Sequence, residues 1–473
     1  MKKIIPISLF VLITNITFAQ TEKPTYKVVA DAFEKNYNTN NFEVVFSMFS
    51  SDMKVAVPLN KLTPFLTNLK KQAGNISKRE FVSYNNESVA VYKTNFENAI
   101  YALNISLDNN SKINGLAITP FSEENTSETV INNLSVKSSG ITKKQSQLIF
   151  ENAKTFPNQT QVSIAFINNG KVSYYGTKKN NDTISIIDNY KSVFEIGSIS
   201  KVFTSTLLAN FVIDGKIKLN NNVNDYLKTP FHNNIKISFI NLANHTSGLP
   251  RLPSNLDLAK VNLENPYKEY KEKELEEYLT NHLELSNKGK HQYSNLGAGL
   301  IGYTLSEIGN TTYESLLQNK VFSKYEMQNS TADIHKVKGH LVRGLNNEGK
   351  EVPNWEFSIL AGAGGILSTP EDLSKFVIAQ FNTSNKELEL TRQKTVEIND
   401  NMDIGLGWHL LKSQSKNIWH WHNGGTGGYS SSMVIDEKTK NGIIILSNVS
   451  AFNPNMGNID KLCFELMKTL EKE

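Results

Sequence analysis

From Ser198 onward apolar residues fall at 199, 202, 203, 207, 208, 211 and 212 and stop at Asp214-Gly215. That recurrence predicts a helix with one apolar stripe and a glycine at its end. Alternation takes over elsewhere. "QVSIAFINNGKVSYYGT" from Gln161 reads as a hairpin turning at Asn168-Asn169-Gly170, and "GYSSSMVIDEKTKNGIIILSN" from Gly428 as another. Helix-rich sequence lies between them, and "NIDKLCFELMKTLEKE" returns to helical spacing at the C-terminus. Upstream, residues 24–120 carry three amphipathic stretches, "KVVADAFEKNY", "FEVVFSMFSSDM" and "LTPFLTNLKKQAG". The alternating runs "ESVAVYK" and "AIYALNIS", parted by Asn-rich turns, follow them. This predicts a small α+β accessory domain over 24–120, a polar linker over 121–140 and a larger α+β domain over 141–473.

The first 19 residues have two lysines, an apolar run and small residues near Ala19. This is the layout of a secretory signal peptide, too short for a stable membrane span. No cysteine follows the expected cut and no later apolar segment reaches spanning length, so the mature protein is expected soluble in the periplasm or outside the cell. The single cysteine, Cys463, has no intrachain partner for a disulfide and is expected buried in the terminal helix. With 50 basic against 46 acidic side chains the net charge is only +4, which speaks against a nucleic-acid partner.

Candidate chemistry begins at Ser198. Lys201 lies one helical turn on, on the same face, where its amine can reach the Ser198 hydroxyl. A lysine takes a serine proton only when its pKa is depressed, which burial and the positive end of a helix both achieve. The same spacing occurs at Ser51/Lys54 and Ser413/Lys416, but only Ser198 opens a long apolar helix after a strand-like "SVFEIG". Taken alone, the tetrad leaves a nucleophile and a helix cap followed by a solvated lysine both open. Tyr293-Ser294-Asn295 adds a phenol and a carboxamide just before an Ala/Gly/Leu helix, an acid/base group beside a polar orienter. Tyr84-Asn85-Asn86 repeats the spacing in a strand turn of the first domain, without chemistry around it. The run "WHWHNGGTGGYSSSMVI" places His422 before glycines 424, 425, 427 and 428, where a strand edge can come close to a ligand and donate an N–H to an oxyanion. His420 and His422 lack a nearby third ligand, so no metal is expected. Gly-x-Ser-x-Gly, His-Glu-x-x-His and phosphate-loop motifs are missing from the sequence.

In order and separation, Ser198-x-x-Lys201, Tyr293-x-Asn295 and His422-x-Gly424 resemble the three active-site motifs of the class C β-lactamase and D-Ala-D-Ala carboxypeptidase superfamily. "INLANHTSGLPRLP", "AGAGGILSTPEDLSKF" and "GLGWHLLK" are similar to its framework segments, and the resemblance spans roughly residues 141–470. It implies a β-lactamase/transpeptidase-like fold, an antiparallel β-sheet flanked by helices plus a helical subdomain, with the site between them. It also implies that Ser198 is acylated, with Lys201 and Tyr293 sharing the roles of base and proton relay. Asn295, His422, Gly424 and Gly425 would bind substrate, the N–H groups of Ser198 and Gly425 forming the oxyanion hole. One departure stands out, because the β-lactamases proper carry lysine where this chain has His422; Lys440-Asn441-Gly442, in a turn, does not replace it. The first domain resembles the DUF3887 domains that precede such hydrolases.

The expectation is therefore an exported serine hydrolase without cofactor, acting on a D-amino-acid peptide or amide, a β-lactam or a small ester, the peptidoglycan stem peptide included. Its rivals are a penicillin-binding or sensor protein that acylates but deacylates slowly, and a degenerate cell-wall or protein-binding module. The accessory domain is expected to dock on the catalytic domain or to mediate self-association. Arg251, Arg343 and Arg392 are left as candidates for binding a substrate carboxylate.

Overall fold

A computed structural model describes residues 21–471, apart from 86–88, 122–129, 135–139, 258–259, 338 and 414–415. The expected signal peptide lies outside the described residues, as does most of the stretch read as a linker. The chain divides into two compact units, residues 1–127 and 128–473. Among the described residues no helix is long and apolar enough to cross a membrane.

The first unit is α+β. Helices Pro24–Asn38 and Leu59–Ala73 match two of the amphipathic stretches; the third breaks into Phe42–Ser47 and Ser51–Ala56, because Phe49 between them bridges to Ile113. Four antiparallel strands, Ile76–Asn85, Val89–Phe96, Ile100–Leu107 and Ile113–Pro120, pair in chain order. Every second residue of Val89–Phe96 is buried, as the alternation predicts. Arg79, nearly buried, pairs with Asp31 and Glu34 and lies over the Tyr92 ring at 4.6 Å. A buried guanidinium needs such partners to offset its lost hydration.

The second unit is built on one ten-stranded sheet. Its strands are β1 (Ile131–Asn133), β2 (Gln161–Asn168), β3 (Lys171–Asn180), β4 (Thr183–Ile187), β5 (Val396–Asn399), β6 (Met402–Ile404), β7 (His409–Lys412), β8 (Ile418–Gly425), β9 (Ser430–Asp436) and β10 (Asn441–Ser447). They lie in the order β5-β6-β7-β8-β9-β10-β2-β3-β4-β1, antiparallel except for the pair β1/β4. Asn169 and Gly170 both have positive φ, the tight turn that the Asn-Gly pair predicts between β2 and β3. β1 falls inside the segment read as a linker; three polar-flanked residues are too few to show a period.

Both faces of this sheet are covered, and the side chains divide between them with period two. Ile164, Phe166, Ile443 and Ile445 face helices α1 (Lys143–Ala153) and α5 (Gly457–Lys468), with Cys463 fully buried among them. Burial pushes the Cys463 thiol well up, which leaves it an inert core residue. Ala165, Ile167, Ile444 and Leu446 face the larger core, which holds α2 (Ser200–Ile213), α3 (Asn295–Gly309) and α4 (Pro370–Gln380). This is the antiparallel sheet flanked by helices of a β-lactamase/transpeptidase-like fold. At its centre Phe203 of α2 is fully buried against Phe322 and Phe376, with ring centroids 5.9 and 4.4 Å away. Phe203→Ala should cost about 3–5 kcal/mol of unfolding free energy in urea titrations; a loss below about 1 kcal/mol would show that α2 is not seated by this contact.

Candidate active site

Ser198 sits in a single 3-10 turn, Gly197–Ile199, that runs straight into α2. The sequence predicts an apolar stripe, whereas the helix is buried nearly all round. Its polar residues are held by neighbours: Ser200 Oγ accepts the Ile366 N–H at 3.0 Å, and Thr204 Oγ1 donates to the Gly362 carbonyl at 2.7 Å. No face is left for solvent, and Lys201 is only 2% exposed.

The Lys201 amine is held from three directions. Its Nζ lies 2.9 Å from Asn295 Oδ1, 2.6 Å from the Ala363 carbonyl and 3.0 Å from Ser198 Oγ. The first two oxygens only accept, so a neutral amine gives both N–H bonds to them and turns its lone pair to the Ser198 hydroxyl. Burial drives the Lys201 pKa well below its ordinary value, and the positive charge of Arg251 adds to this. The alternative of a helix cap with a solvated lysine is therefore excluded by the position of Lys201.

Asn295, the first residue of α3, and Tyr293, two residues ahead of it, reach the same place. The loop at Asn244–Arg251 clamps the start of this helix. His245 Nδ1 accepts the Ser294 N–H at 3.2 Å, the Pro250 carbonyl accepts the Ser294 hydroxyl at 2.7 Å, and the Arg251 carbonyl takes the N–H groups of Asn295 and Leu296 at 3.0 and 3.2 Å. Ser294 caps the helix by accepting the Gly297 N–H at 2.9 Å. Lys201 Nζ then lies 4.7 Å from the centre of the Tyr293 ring. Burial pushes the Tyr293 phenol up to about 12, while a hydrogen bond with Ser198 and the charge of Arg251 pull the other way. At neutral pH the phenol keeps its proton. His245, packed on Tyr293 with ring centroids 4.6 Å apart, is held neutral by burial, Lys201 and neighbouring histidines.

The third motif ends β8. The two faces of that strand separate its aromatics: Trp419 and Trp421 turn to Phe464 of α5, while His420 packs on Trp408 and His422 lies 6.4 Å from the Tyr293 ring. The tip of β8 meets the turn before α2 backbone to backbone. A Cβ on Gly424 would fall 2.0 Å from the Ile196 carbonyl and 2.8 Å from Ser198 N. Gly197, at φ +50°, would put a Cβ 2.5 Å from Gly425 N. Glycine alone permits this approach, which sets the peptide groups of 424–425 beside Ser198 N. His422 Nδ1 lies 2.6 Å from the Asn423 carbonyl and so carries the hydrogen, leaving Nε2 a buried lone pair without a partner. Burial, with His409 and Lys201 nearby, keeps this imidazole uncharged.

The structure thus gathers Ser198, Lys201, Tyr293, Asn295, His422, Gly424 and Gly425 around one point. Among the arginines, Arg392 is buried against Gln380 and Glu437 and Arg343 lies beside Tyr429, whereas Arg251 reaches the site. Sequence reasoning missed the Ala363 carbonyl, His409 beside His422 at 5.2 Å, and Glu195. Glu195 is a buried acid whose pKa rises to about 7 by desolvation, although Asn354 Nδ2 and Trp355 N donate to it at 2.7 and 2.9 Å. The Gly-Gly pair after Ala363 was the one available signal, since it marks a tight turn that exposes a carbonyl.

A buried serine–lysine pair between a helix-flanked antiparallel sheet and a helical region defines a class, the serine hydrolases of β-lactamase/transpeptidase type. The chain belongs to the β-lactamase family, whose profile matches residues 153–462. Residues 30–116 match the profile of a protein family of unknown function, DUF3887. A "Beta-lactamase" of Pseudomonas fluorescens is 28% identical over 262 residues, 53% of this chain and 69% of that protein. "D-alanyl-D-alanine-carboxypeptidase/endopeptidase AmpH" of Escherichia coli (strain K12) is 24% identical over 319 residues, 62% of this chain and 80% of that protein. In three dimensions the crystal structure of a "Beta-Lactamase/D-Alanine Carboxypeptidase from Pseudomonas syringae" superposes with a TM-score of 0.57 at 19% identity, covering 69% of this chain and 99% of the other.

Two outcomes follow from this geometry. A base that works as a neutral amine is active above its own pKa, and that of Lys201 is lowered. The acylation rate should therefore rise with pH and reach its plateau well below the ordinary lysine range; a rising limb at the ordinary lysine value of 10.5 would remove Lys201 as the base. Gly424→Ala should slow ester turnover about 100-fold by moving the strand tip off Ser198, and activity within a few-fold of the parent would show that the tip has room.

Proposed function

We propose that this protein is an exported hydrolase that works through an acyl-enzyme on Ser198, acting on a D-amino-acid peptide or amide, a β-lactam or a small ester. The observation that carries the reading is the Lys201 amine, fixed by two pure acceptors so that its lone pair meets the Ser198 hydroxyl. In the first step Ser198 Oγ bonds to the acyl carbon while its proton passes to Lys201 Nζ. The N–H groups of Ser198 and Gly425 receive the negative charge on the carbonyl oxygen. The intermediate collapses by breaking the bond to the leaving nitrogen or oxygen, which takes a proton through Tyr293, protonated at neutral pH and re-supplied by Lys201. A water, losing its proton along the same route, then frees the acyl group.

Asn295 has two tasks in this scheme. Its Oδ1 fixes the amine, and its Nδ2 donates one hydrogen to the Tyr267 hydroxyl at 3.5 Å and has a second to offer the substrate amide. His422 has an acceptor nitrogen to offer to a substrate donor group. The lysine-to-histidine departure therefore changes what the third motif can bind and leaves the acyl transfer intact. Export is supported by the basic and then apolar leader of residues 1–19. The names of the β-lactamase and D-alanyl-D-alanine-carboxypeptidase relatives support the β-lactam and D-amino-acid peptide among these classes.

The test is a parallel rate screen of a D-Ala-D-Ala peptide, a D-amino-acid amide, a chromogenic cephalosporin and a short acyl ester, with Ser198→Ala and Lys201→Ala as companions. Ser198→Ala should abolish labelling by a fluorophosphonate probe and all turnover, and Lys201→Ala should cost about 100-fold or more. Persistent labelling or turnover in Ser198→Ala would overturn the acyl-enzyme.

A further inference from the structure

The acyl-transfer machinery described above holds one cation that it does not consume. The chain has four arginines. Arg79 belongs to the first unit, Arg392 and Arg343 are placed elsewhere, and Arg251 alone stands at the site. Its guanidinium carbon lies 5.2 Å from the centre of the Tyr293 ring. The side chain is exposed, and among the described residues no carboxylate pairs with it. Its position is not free to drift, because the Arg251 carbonyl is bonded to the first two N–H groups of α3, at 3.0 and 3.2 Å. The residue whose carbonyl clamps the start of α3 therefore also lays its charge along Tyr293. That charge acts on Lys201, Tyr293 and Tyr267 together.

The position matters because of what Tyr293 does in the proposed reaction. It delivers a proton to the leaving nitrogen or oxygen, so the groups attached to that atom lie beside the phenol. When the leaving group is an amino acid or a hydroxy acid, its carboxylate carbon is two bonds away, about 2.5 Å. A guanidinium against the Tyr293 ring is then within reach of that carboxylate, and its planar fork matches two oxygens at once. The third motif does not serve this purpose. His422 has given its one hydrogen to the Asn423 carbonyl and keeps at Nε2 only a buried lone pair, which has no hydrogen to donate to a carboxylate.

We propose that Arg251 is the receptor for a carboxylate on the leaving side of the substrate, so that the preferred substrates release an α-amino or α-hydroxy acid with a free carboxylate. The inference rests on the acyl-enzyme reading of Ser198 and extends it to one substrate class. Cation and acceptor then divide the leaving side: Arg251 takes the carboxylate, and His422 is free for an N–H or O–H donor.

The experiment uses two esters that differ only at this carboxylate, N-acetyl-D-alanyl-D-lactate and the same ester of D-lactamide, with the full chain. Wild type should favour the free acid in kcat/KM. Arg251→Gln should reduce the acid-to-amide ratio about 30-fold, as expected for loss of a charge-assisted pair, and Arg251→Lys should restore part of it. Thermal melting of each variant reports whether the clamp on α3 survives; the ratio is read within one variant, so a general loss of folded protein cancels. Equal losses on both esters would mean that Arg251 acts only through Tyr293, and would overturn the proposal. So would a wild type that shows no preference. Turnover of neither ester, with Ser198 unlabelled by a fluorophosphonate, would instead remove the acyl-enzyme reading on which the proposal rests.

Discussion

The burial of one amine governs the rest of this site. An ammonium ion at the Lys201 position would be costly to remove from water; a neutral amine avoids most of that cost, and its hydrogen bonds come from two remote parts of the chain and one close in sequence. Asn295 comes from the helix after the second motif, the Ala363 carbonyl from a Gly-rich turn, and Ser198 from the residue one turn before. The geometry requires α2 to be enclosed by core on all sides, which is why its serines and threonines bond to carbonyls and N–H groups of neighbouring segments. It also requires α3 to begin at a fixed place. The loop from Asn244 to Arg251 does that by accepting the N–H groups of Ser294, Asn295 and Leu296.

Seen in this way, the departure from lysine at the third motif is a relocation of charge. An ammonium buried beside the neutral Lys201 amine would need partners of its own to offset its lost hydration. The histidine cluster of His245, His409 and His422 stays neutral around Tyr293, and the guanidinium of Arg251 lies over the Tyr293 ring from an exposed residue. Burial favours the neutral form of the Lys201 amine, and exposure keeps the Arg251 guanidinium hydrated.

Local signals in the sequence were legible and long-range ones were not. The period of α2, the Asn-Gly turn after β2, and the two final strands follow from side-chain spacing within a few residues. The three motifs could be found because each is short, and could be joined because their order along the chain is known from relatives. What spacing does not contain is which strand neighbours which. β10, near the C-terminus, pairs with β2, and this contact between distant segments completes the sheet. Ala363, Glu195 and His409 were overlooked for the same reason, since each acquires its place only through residues far away in sequence. Arg251 was visible as a residue, but its position over Tyr293 comes from the loop clamp.

The backbone contact between Gly424–Gly425 and the turn at Gly197–Ser198 has a consequence in time as well as in space. Serine, lysine and tyrosine are all synthesised before the strand that lies against them, and β9, β10 and α5 must still follow to hold that strand in the sheet. A nascent chain that stops before β8 carries the proposed nucleophile without the peptide edge beside it. The proposed reactivity is thus withheld until β8 is held in the sheet by β9 and β10.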